Sequence, residues 1–175
     1  MKKYQIIDLG IPKGAIFSDD RKYRYALWRV WQPNKSLLMA IGLNPSIASE
    51  LKDDPTITRL QVRAYKEGYG GLLMSNLYAL ISTNPVHLLN QHNTVGEFTD
   101  HYIKQMVILS ERQLCGWGSF KPVSRRAPAV LLMLKEPYCL GINADGQPKH
   151  PLYVGYSMPM IKYCWGNEVE SDIEL

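Results

Sequence analysis

Four short polar signatures each close an apolar run in this 175-residue chain: Gly42-Leu43-Asn44-Pro45-Ser46, Asn76-Leu77-Tyr78, Trp117-Gly118 and His150-Pro151-Leu152. Their residue types can bind and polarise a ligand without a metal. Asn44 precedes a proline, which holds it extended, so its amide can project into a cleft. There it can hold a water or a carbonyl, although an amide is no base near neutral pH. Asn76 offers a donor and an acceptor together, matching the edge of a pyrimidine or another amide-like group. His150 can donate to a developing oxyanion or a phosphate. Each has a plainer alternative: an Asx-Pro turn at Asn44, a loop cap at Asn76, and a loop histidine with Leu152 and Tyr153 packed inward.

Two adjacent carboxylates follow the first signature. Asp54-Pro55-Thr56 has the form of a helix start, with Asp54 as cap and proline at the first helical position. Asp53 is then the candidate general base, or the group that offsets a cationic intermediate. Lys121, Arg125 and Arg126 lie just beyond Trp117-Gly118 and suit phosphate contacts or a solvated charge cluster. Leu152 and Tyr153, if exposed, can wedge or stack into nucleic acid.

The elements that must position these groups alternate along the chain. Ser36–Ile41, Gly71–Ser75, Gln113–Trp117 and Tyr138–Gly141 read as short strands, the first two buried on both faces. Helices are predicted from Asp54 to about Lys66, over 82–89, over 96–112, and from Ser124 to about Lys135. Ala15–Phe17 and the aromatic-rich Tyr23–Trp31 suit an antiparallel hairpin. The expected fold is a three-layer α/β/α domain over 1–167, with a mainly parallel four-stranded central sheet and the hairpin added at its N-terminal side. Polar groups at the carboxyl ends of such strands share one active edge.

Bulk properties narrow the class. The length allows one domain with a real core. No apolar stretch reaches the roughly 18–20 residues of a membrane span, and no signal-peptide region follows Met1-Lys2-Lys3-Tyr4, so a cytoplasmic location is expected. Cys115, Cys139 and Cys164 are odd in number and widely spaced, and suggest neither a disulfide framework nor a zinc site. Cys115 and Cys139 are expected to be buried small hydrophobes. The formal net charge is +4, but four of the 16 acids crowd residues 168–175, an acidic tail with no Lys or Arg. Residues 1–167 thus hold 20 basic against 12 acidic side chains, which suits either a polyanionic partner or a plain basic protein.

Together the signatures resemble the uracil-DNA glycosylase superfamily. Its mismatch-specific branch carries Gly-Ile-Asn-Pro-Gly at the end of the first core strand, similar to Gly42–Ser46. Its classical branch ends a Leu-rich strand in an Asn that reads uracil, similar to Gly71–Asn76. Later motifs, Trp-Gly and His-Pro-Ser followed by a Leu-bearing loop, are similar to Trp117-Gly118 and His150-Pro151-Leu152. A closer likeness is to a bacterial and phage domain family of unknown function, through Leu-Asn-Pro-Ser, Asp-Pro-Thr, Asn-Leu-Tyr, Trp-Gly and Gly146–Tyr153.

The glycosylase resemblance implies a cofactor-free, monofunctional enzyme acting on DNA as a monomer. A nucleotide flips into the pocket, Asn44 positions the attacking water, Asn76 and Ser46 bind the base, and His150 donates to the leaving base. Leu152 fills the gap in the duplex, beside Tyr153 and Lys149. The aromatic that stacks on the flipped base in that superfamily has no counterpart soon after Ser46, where Ile47-Ala48-Ser49-Glu50 stands, so Tyr78 becomes the stacking candidate and the pocket is expected to admit a bulky modified pyrimidine, such as those of phage DNA. The competing expectations are a non-catalytic nucleic-acid or nucleotide-binding protein of the same fold, and a hydrolase of a free nucleoside or nucleotide.

Overall fold

The computed structural model describes residues 4–165; the acidic tail at 168–175 lies outside them. The elements in chain order are β1 (Lys13–Phe17), β2 (Arg24–Val30), β3 (Leu37–Gly42), α1 (Pro55–Lys66), β4 (Gly71–Asn76), α2 (His87–Asn90), α3 (Thr99–Leu109), β5 (Arg112–Cys115), α4 (Val123–Leu131), β6 (Pro137–Cys139), a 3-10 turn (Pro151–Tyr153) and β7 (Ile161–Lys162).

The expected mainly parallel four-stranded sheet is overturned. The described residues build a seven-stranded mixed sheet in the order β1-β2-β4-β3-β5-β6-β7. The pairs β3–β4, β3–β5 and β5–β6 are parallel, while β1–β2, β2–β4 and β6–β7 are antiparallel. The physical reason lies in β2. It is buried at every position and zips Leu27–Val30 onto Met74–Gly71 of β4. The expected antiparallel hairpin of β1 and β2 does form, but β2 also joins it to β4 as an integral strand of the sheet. A strand covered on both faces loses the polar–apolar alternation that marks an edge. The two-residue β7 is too short to leave any period.

The sheet is sandwiched between two apolar layers. Met39 and Ile41 of β3 pack with Tyr102, Ile103 and Met106 of α3 and with Ala127 and Val130 of α4. Leu38 and Ala40 point the other way, onto Ile57, Leu60 and Ala64 of α1. This is the two-residue alternation of a strand presenting both faces to helices. Asp54 caps α1 by accepting from the Ile57 amide at 2.9 Å, and α1 stops before Gly68, whose φ is +86°. Cys115 and Cys139 are buried, and burial pushes both thiols up from their ordinary range. Among the described residues, no helix is long and apolar enough to cross a membrane.

Register brings the signatures level. Gly42 pairs with Asn76, and Ile41 with Cys115. The ladder continues past the strand ends, where the amides of Leu77 and Gly116 donate to the carbonyls of Gly42 and Ile41, each at 2.9 Å. The chain therefore leaves β3, β4 and β5 at one height, and the loops that follow share one rim.

Candidate active-site cleft

At that rim lies a cleft of about 290 Å³. This is near the small end of the ~300–1,000 Å³ typical of ligand pockets, room for a group the size of a nucleobase. Asn44, Ser46, Asn76, Trp117, His150 and Leu152 all line it, and so do Arg24, Asp54, Thr56, Ser82 and Thr83. Tyr153 stands 86% exposed at the mouth.

Asn76 ends β4 and is 3% exposed. Its Nδ2 is buried without a hydrogen-bond partner among the described residues. Such an orphan donor costs about 1–3 kcal/mol and is paired in the great majority of native sites. Gly42 makes this placement possible: a Cβ there would stand 2.8 Å from Asn76 Oδ1 and 2.9 Å from the Met74 methyl.

Asn44 is held rigidly. Its Nδ2 donates to the Ser82 carbonyl at 2.9 Å and to that of Pro45 at 3.1 Å, with Leu80 farther at 3.4 Å. The amide nitrogen ties two loops together, which leaves Oδ1 as the acceptor on offer. An oriented acceptor can hold a water.

His150 is fixed from its other side. Nδ1 accepts the Leu152 amide at 3.2 Å, which places the proton of the neutral ring on Nε2. Burial pushes its pKa below the ordinary value, while Asp54 pulls weakly the other way. The ring is thus a neutral donor at pH 7. The loop behind it is also braced: Arg59 of α1 donates to the carbonyls of Pro151 at 3.0 Å and Val154 at 2.6 Å. Trp117 Nε1 donates to the buried Gln147 at 2.9 Å.

Gly116 lets Pro151 lie against the end of β5, where a Cβ would meet two proline ring carbons at 2.9 Å. Gly116→Ala must shift Pro151 and with it His150. A loss of about 1–3 kcal/mol is expected from such overpacking, read as a lower denaturant midpoint at unchanged slope.

The other proposed site residues lie elsewhere. Asp53 is outside the cleft lining. It pairs with Arg29 at 2.8 Å and accepts from Gln61 at 2.7 Å. Asp54 is the carboxylate that faces the cleft, with one oxygen engaged in the α1 cap. Tyr78 is buried, and its hydroxyl donates to the Pro122 carbonyl at 2.7 Å, away from the cleft. Arg126 is also internal, bonded to the Leu77 carbonyl and to Asp100. Lys121, Arg125 and Lys149 are exposed, and Lys149 lines a hollow that shares His150 and Tyr153 with the cleft.

Residues 24–152 match a family described as "Protein of unknown function (DUF1643)". The chain belongs to that family. The matched span runs from Arg24 to Leu152, so the DUF1643 region contains every cleft-lining residue except Tyr153. No curated protein and no solved structure matches the chain.

Sequence reasoning missed Arg24 and Arg59. A signal for Arg24 existed: a charge inside the otherwise apolar Tyr23–Trp28 run must be buried if that strand is internal. Arg59 left none, because an arginine on a helix usually faces solvent.

Proposed function

We propose that this DUF1643 protein is a DNA glycosylase related to the uracil-DNA glycosylase superfamily, acting in the cytoplasm as a monomer on a flipped pyrimidine. One observation carries the reading most: the orphan amide of Asn76 lies in a nucleobase-sized cleft, beside a neutral histidine whose proton sits on Nε2.

In this mechanism the bond from the sugar C1′ to the base nitrogen breaks, and its electron pair leaves with the base. Asn76 reads the base edge. His150 Nε2–H donates to the base oxygen on which negative charge gathers. Such a preorganised donor is worth about 10²–10³ in rate. Asn44 Oδ1 orients the water that bonds to C1′, and Asp54 takes its proton or offsets the cationic sugar. Tyr153 and Leu152 at the mouth, with Lys149 beside them, suit the duplex.

A non-catalytic, nucleotide-binding reading is favoured by a different observation. Asp53 is tied to Arg29 and Asp54 already caps α1, which leaves little free carboxylate for a base.

The test is mass spectrometry of free bases released from DNAs containing uracil, mismatched thymine, and hydroxymethylated or glucosylated cytosine. Release of one base, lost in Asn44→Ala, supports the glycosylase. In Asn76→Ala, affinity for that base is expected to fall about tenfold, the worth of one buried hydrogen bond. No release from any DNA, with salt-sensitive DNA binding retained, favours the binding protein instead.

A further inference from the structure

Arg24 is buried, lines the cleft and is poorly satisfied. It is 2% exposed. Among the described residues its one side-chain hydrogen bond runs from Nη1 to the Ala48 carbonyl at 2.8 Å, and Nε is buried with no partner. The other buried arginines are served differently. Arg29, on the same strand and 1% exposed, pairs with Asp53 and also reaches the carbonyls of Trp28 and Ser49. Arg63 binds Glu67 and two carbonyls, and Arg126 binds Asp100 and one. None of these three lines the cleft.

Arg24 keeps its charge. Burial lowers its pKa only to about 10, so the guanidinium is cationic at neutral pH. Asp54, the acid that shares the cleft lining with it, attracts it through its charge but forms no ion pair with it, and Arg29 opposes it from the same strand. A water could satisfy Nε but would not offset a buried charge. An oxyanion does both, and guanidinium–oxyanion bonds are roughly twice as strong as neutral ones.

We propose that Arg24 makes the inner wall of the cleft an oxyanion subsite, so that the ligand held there carries a carboxylate or phosphate group against the guanidinium. Resting on the nucleobase reading above, this names the substrate class: a pyrimidine with an acidic substituent, or a nucleotide whose own phosphate is the anion. Asp54 opposes that anion, so its charge sets the strength of the subsite.

Calorimetric titration of the full chain tests this without any excision. The probes are uracil-5-carboxylate against its neutral isostere uracil-5-carboxamide, 2′-deoxyuridine 5′-phosphate against 2′-deoxyuridine, and inorganic phosphate. At least one charged probe is expected to bind about tenfold or more tightly than its neutral partner. Which one does so identifies the source of the anion; binding of inorganic phosphate alone assigns the subsite to phosphate. The preference is expected to vanish in Arg24→Gln. Asp54→Asn keeps a helix cap and is expected to tighten binding of the charged probe several-fold, which tests the idea even if Arg24→Gln does not fold. Equal affinities within both pairs together with no binding of inorganic phosphate, undetectable binding of all probes included, overturn the proposal. Excision of plain uracil with no anion preference rejects the subsite and leaves the glycosylase. Anion preference with no base release from any DNA does the reverse.

Discussion

Asp53→Ala is expected to destabilise the protein by about 3 kcal/mol. Removing one partner of a buried ion pair typically costs about 3–5 kcal/mol. The lower end applies because the Asp53 side chain is 23% exposed while that of Arg29 is 1% exposed. The substitution strands the Arg29 guanidinium in the sheet with carbonyl partners alone and also frees Gln61. For a domain of this size the melting temperature should fall by about 6–12 °C. Asp54→Ala is expected to behave differently. It removes a helix cap worth about 1 kcal/mol and the carboxylate that lines the cleft. Thermal or urea unfolding separates the two. If Asp53→Ala kept full stability and lost base release, Asp53 would belong to the chemistry and Asp54 would not.

This pair shows where the sequence stops speaking. Two neighbouring carboxylates before a proline mark a helix start, but not which one turns toward the cleft. That depends on β2, where Arg29 pairs with Asp53 and Arg24 shares the cleft lining with Asp54. The strand ends were legible, because short continuous apolar runs closing in Gly42, Asn76 and Trp117 suit buried strands, and parallel pairing in register then brings their ends together. The sheet as a whole was not. The antiparallel pairing of β2 with β4 is a long-range contact, and the loose alternation of Tyr23–Trp31 suited an edge equally well. Arg125 and Arg126 make the same point on α4: one residue of helical rotation separates an exposed cation from one buried against Leu77 and Asp100. Tyr78 looked free to stack on a base, but its hydroxyl is spent on Pro122 in the interior.

His150→Ala is expected to lower base release by about 10²–10³-fold, the usual cost of removing one oriented donor from a developing anion. Affinity for DNA should change little, because Tyr153, Leu152 and the exposed lysines remain. The acid dependence of stability gives an independent readout. Burial holds the folded-state pKa of His150 below its unfolded value of roughly 6.5, so the fold favours the neutral ring. Above roughly pH 6.5 both states are neutral and the stability is fully present. As the pH falls from there through the depressed folded value, the unfolded chain binds the proton first and stability is lost. His150→Ala should remove that part of the acid sensitivity, seen as a smaller drop in unfolding free energy between pH 7.5 and pH 5. An acid profile unchanged by the substitution would mean that the ring is not held neutral. The cleft would then lack the neutral Nε2–H donor on which the proposed departure of the base depends.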